Sequence, residues 1–170
     1  ACAHSELASG SYFSAVNPDA SSEWAHAPSG DGFEAVWHYR DPNKMLESSQ
    51  FNNIYRSLDR GATWQNVRPP GGTGTFITKI AKSRQDPDLV FATAANGIVR
   101  SDNFASNWTV TTMPTGFVGS NTFSQVEISL ASPHVVWAGH TMTTTAAPFV
   151  STVGGLSFTA TKPFGSSLGS

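Results

Sequence analysis

Apolar positions along the chain fall in short runs, broken by Gly, Pro, Asn, Asp and Ser, and no stretch holds a helical period for long. Some runs do not alternate. Leu89-Val90-Phe91-Ala92 and Val135-Val136-Trp137-Ala138 are apolar throughout, the pattern of strands buried on both faces. Three dipeptides, Asp41-Pro42, Asp86-Pro87 and Ser132-Pro133, set a register for the rest. Each is preceded by a β-prone run (33–38, 76–81, 123–130) and followed by another (44–50, 89–95, 135–141). A third run then ends in serine: Ser57, Ser101 and Ser151. Seven residues later stands an aromatic, Trp64, Trp108 or Phe158, followed by a short fourth strand and a Pro-containing turn.

The serines lie 44 and then 50 residues apart. A unit of four strands at this spacing reads as a β-propeller blade. One four-stranded sheet cannot cover both of its faces, whereas radial stacking buries both. The predicted fold is therefore all-β, with complete four-stranded antiparallel blades at 31–70, 76–114 and 123–163. A partial blade covers 1–30, where Tyr12-Phe13-Ser14 is read as a third strand and the segment from Trp24 to Ala27 as a fourth. Residues 164–170 form a short Gly/Ser tail. Propellers close with about four to eight blades, so this chain is expected to be a segment of one. It would need the rest of the propeller, or another chain, to cover its end faces.

Residues 57–64 read Ser-Leu-Asp-Arg-Gly-Ala-Thr-Trp, with Ser57, Asp59, Gly61, Thr63 and Trp64 at the defined positions of the pattern S-x-D-x-G-x-T-W. The second copy keeps Ser101 and Trp108. The third keeps Ser151 and Gly155 and has Phe158 for Trp. In these residues the chain resembles the Asp-box (BNR-repeat) propellers, a group that includes bacterial sortilin-like and xyloglucanase-type glycosidase propellers. The resemblance implies a blade-forming role for the box. Turn chemistry gives the same reading, because Asp accepts bonds from turn amides, Gly permits the backbone angle and Trp packs between strands. The loss of the acid in the third copy, where Val153 stands, agrees with it.

Candidate functional residues are sought on the inner strands, which line the axis of a propeller. Counting back from the three prolines gives Glu34, Lys79 and Gln125, and one alternation further Val36, Ala81 and Glu127. A column running from acid to base to amide is unlike a core and is read as a polar lining. Gly30-Asp31-Gly32-Phe33-Glu34 opens the first complete blade, and its two glycines let other groups approach the backbone closely. Asp31, Glu34, Lys79, Gln125 and Glu127 are therefore the ligand-binding candidates, and Asp31 and Glu34 the candidates for catalytic carboxylates. Glycoside hydrolysis needs two carboxyls flanking the sugar from opposite sides, which two acids on one strand do not provide. Exposed aromatics such as Tyr12, Phe13 and Tyr39 could stack on sugars.

Composition narrows the classes further. Charged residues make up 13% and the net charge is −2, without a basic cluster, so no nucleic-acid partner is expected. No apolar run reaches the roughly 18 residues of a membrane helix. The five histidines lack metal-ligand spacing and no phosphate loop is present, so no metal and no cofactor is expected. Asn107-Trp108-Thr109 fits the N-glycosylation pattern, and Cys2 has no second cysteine to pair with. The expected function is a binding module for a glycan or a protein, secreted or on a cell surface, with the resemblance implying a bacterial source. The alternative is part of a glycoside hydrolase, xyloglucanase-like before sialidase-like, with catalytic acids partly outside this segment.

Overall fold

The computed structural model describes residues 30–117, 124–141 and 145–163, and residues 3–6, 10–14 and 24–26 as strand backbone. Strands dominate these residues, and their only helical element is a single 3-10 turn at Gln50–Asn52. The strands group into four antiparallel sheets, each a meander in chain order. The first holds β1 (Ala3–Glu6), β2 (Gly10–Ser14) and β3 (Trp24–His26). The second holds β4 (Gly32–Trp37), β5 (Met45–Ser49), β6 (Asn53–Ser57) and β7 (Gln65–Asn66). The third holds β8 (Ile80–Lys82), β9 (Val90–Ala94), β10 (Gly97–Ser101) and β11 (Thr109–Val110). The fourth holds β12 (Gln125–Ile128), β13 (Val136–Gly139), β14 (Phe149–Ser151) and β15 (Thr159–Ala160).

The serine register of the sequence is the strand register of the blades. Arg56 pairs with Gln65, Arg100 with Thr109 and Val150 with Thr159, each just inside the serine-to-aromatic turn. Phe13 pairs with Ala25 and Ser14 with Trp24 in the same relation. The sequence reading missed β1, which pairs along its length with β2.

Packing between sheets explains the non-alternating runs. Val36, Leu46 and Ile54 of the second sheet meet Ile80, Ala92 and Val99 of the third in one buried cluster. Phe91 and Ile98 of the third meet Val126, Ala138 and Phe149 of the fourth in another. The third sheet is thus covered on both faces, and β9 is buried at all its positions. Burial at this scale contributes about 25 cal/mol per Å² of apolar surface removed from water. Phe91 is fully buried, and a Cβ on Gly155 would collide with its ring, so Gly155 is the glycine that lets the fourth sheet close on the third.

Polar links repeat the same spacing. The Arg40 guanidinium donates to the Gln85 carbonyl at 3.2 Å. The Gln85 amide donates to the carbonyls of Leu130 and Ala131 at 2.9 and 3.0 Å. Each step joins equivalent turns of successive blades. The Lys44 ammonium reaches Asp88 at 2.9 Å and, as the main cause, holds that carboxyl below the usual carboxylate range.

Candidate functional site

The inner strands β4, β8 and β12 lie side by side, so their side chains decide what the axis offers. A β-bulge between Gly32 and Glu34 opens β4. It re-aims Glu34, whose backbone amide donates to the Ser48 hydroxyl at 3.1 Å. That hydroxyl donates to the Thr78 carbonyl at 2.8 Å, tying the second sheet to the segment that precedes β8. Lys79 donates its backbone amide to the Thr93 hydroxyl at 3.1 Å, and its ammonium lies 2.8 Å from Glu34 Oε1. Two of the residues picked from the sequence therefore meet as an ion pair between blades, each side chain about one-third exposed.

Gln125 and Glu127 sit on one exposed face of β12, and Glu127 pairs across the ladder with Trp137. The repeat equivalents of Glu127, Val36 and Ala81, are buried between sheets. Glu127 thus occupies the face of the fourth sheet that corresponds to the packed faces of the second and third. No described contact brings Gln125 or Glu127 to the Glu34–Lys79 pair. Asp31 is half-exposed at the start of β4. Gly30 beside it is crowded by the amide end of the Gln50 side chain, which would have to shift to admit a Cβ.

Asp59 serves its own turn. The Ser57 hydroxyl donates to it at 2.8 Å, as does the Thr63 amide. The Thr63 hydroxyl donates at 2.5 Å and is the largest of the hydrogen bonds that hold the carboxyl below its usual range. The Gly61 amide donates to Ser57 Oγ at 2.7 Å, and the Trp64 indole donates to the Gly61 carbonyl at 3.0 Å. In the second copy Ser101 and Asn103 repeat the pattern, with Ala105 at φ 59° in the place of Gly61 at φ 88°. In the third, Gly155 donates to Ser151 at 2.9 Å without an acid. His38 is also structural, because its Nδ1 accepts from the Asp41 amide at 2.9 Å. No group of three or more His, Cys, Asp or Glu among the described residues is placed to hold a metal ion.

Sequence reasoning overlooked Lys82, the last residue of β8. Its ammonium lies 4.8 Å from the centre of the Tyr39 ring and 3.5 Å from the Trp37 carbonyl. Burial lowers its pKa, and the Glu34 charge acts in the opposite sense. The signal was available: Lys82 stands where the other blades have Trp37 and Ile128.

No protein-family model and no curated protein matches the chain. Solved structures do. An ancestral GH74 enzyme superposes with a TM-score of 0.65 at 14% identity, over 92% of this chain and 22% of that one. The GH74 enzyme of Niastella koreensis gives 0.56 at 20% identity, over 96% and 24%. YCF48 from Cyanidioschyzon merolae gives 0.52 at 16% identity, over 76% and 36%. The fold is that of a β-propeller segment. The chain spans less than two-fifths of each of these structures. Among the described residues no helix is long and apolar enough to cross a membrane.

Proposed function

We propose that this chain is part of a secreted or cell-surface β-propeller that acts as a binding module, with a glycan as the first ligand class. The observation that carries this reading is the Glu34–Lys79 pair at 2.8 Å. That carboxylate is engaged by the ammonium of the neighbouring blade rather than set opposite a second carboxyl, the arrangement that glycoside hydrolysis needs. Asp59, the other conspicuous acid, is consumed by its turn. Similarity to GH74 propellers supports the carbohydrate class, and a YCF48 structure with a bound D1 peptide keeps a protein ligand as the next class to test. The same GH74 similarity favours one further reading, a glycoside hydrolase whose second carboxyl lies beyond this segment.

Asp31 and Glu34 are the residues to change. A glycan array probed with the wild-type chain, Asp31→Asn and Glu34→Gln should show a ligand whose signal falls in at least one variant. Unaltered binding in both removes this end of β4 from the site. The absence of any glycan signal moves the reading to a protein ligand.

A further inference from the structure

Lys82 stands apart from two other lysines of the blades. Lys79 has Glu34 and Lys44 has Asp88, each within 2.9 Å. Among the described residues no carboxylate lies within ion-pair reach of Lys82. Its ammonium rests over the Tyr39 ring, and the Trp37 carbonyl at 3.5 Å is at the limit of a hydrogen bond. A partly dehydrated cation is costly where the charge that acts on it, Glu34, is already paired with Lys79, and the fold does not require a cation at this position, since Trp37 and Ile128 fill it in the neighbouring blades. Tyr39 is 47% exposed although it is a large aromatic, and its repeat equivalents are Arg84 and Leu130. The pair lies where inner strands run into their turns, at the opposite end of β4 from Asp31. Arg40 and Arg84 add exposed positive charge in the same turns, against Asp41 and Asp86.

We propose that Lys82 and Tyr39 form the recognition point for an acidic sugar, the ammonium taking the carboxylate of a uronic acid residue and the exposed edge of the tyrosine ring packing against the pyranose beside it. This rests on the glycan-binding reading. The aromatic ring and the cation are supplied together, a combination that suits a charged sugar better than a free inorganic anion. A charge-assisted bond made on binding replaces hydration that Lys82 has already lost in the folded chain.

Calorimetric titration of the 170-residue chain with a short oligogalacturonate, and with the same oligomer after reduction of its carboxyls, tests the proposal. The acidic oligomer should bind about tenfold more tightly or better. Lys82→Met should close that gap and Lys82→Arg should keep it. Tyr39→Ala should weaken both oligomers and Tyr39→Phe neither. The comparison of the two oligomers on the wild-type chain does not depend on any variant folding. Equal affinities for the two, or an unchanged gap in Lys82→Met, overturn the acidic-sugar proposal and leave glycan binding standing. Sulfate or acetate binding as tightly as the oligomer overturns the sugar part. Binding of neither oligomer overturns the proposal, while a signal from any other glycan on the array keeps the broader reading.

Discussion

Asp59 and Lys82 show opposite uses of charge. Hydrogen bonds, the Thr63 hydroxyl first, lower the pKa of Asp59 on folding. A carboxyl depressed in the folded state contributes stability that is complete above its unfolded pKa and lost as pH falls through the folded one. Asp59→Ala should therefore lower Tm at neutral pH, and the difference from wild type should shrink in thermal scans below about pH 4. The pKa of Lys82 is lowered by burial, so its ammonium costs stability at every pH below its folded pKa. Lys82→Met should raise Tm at neutral pH, in contrast to its effect on binding. A fall in Tm would mean that the cation packs productively over Tyr39. Ala105 has φ 59° where the first box has glycine. Ala105→Gly should stabilise by up to about 1 kcal/mol, read from the denaturation midpoint.

At the scale of elements, strands hold because their neighbours cover them. Phe91 in β9 is, with Phe104, among the largest fully buried side chains of the described residues, and its truncation to Ala should cost about 3–5 kcal/mol in urea unfolding. Gly155→Ala should also destabilise, by more than about 1 kcal/mol, because φ is 74° there and the added methyl meets the Phe91 ring. Glu34→Gln should change stability by no more than about 1 kcal/mol, since the pair with Lys79 is partly solvated. A larger loss would mark Glu34 as a structural clamp between blades. Strands were legible in the sequence wherever a serine, an aromatic and a proline kept register. β1 was not, because neither a box nor a proline marks Ala3–Glu6 and it is recognised by its pairing with β2.

For the whole molecule, the blade architecture could be read from the repeat because radial packing imposes the same demand on each unit. The site was only partly legible. Glu34 and Lys79 were picked as a polar lining, but the sequence does not say that the Glu34 carboxylate would meet the ammonium of the next blade. Gln125 and Glu127 share the column in the alignment without joining that pair. Lys82 escaped because its neighbour across the blades, Tyr39, is 43 residues away in the chain. The binding reading and the hydrolase reading differ in one observable. The purified chain should be incubated with the glycan it binds most tightly and the newly formed reducing ends measured over time. Stable binding without reducing-end release is the expected result. Release that is abolished by Asp31→Asn or Glu34→Gln would contradict it and make this segment part of a glycoside hydrolase.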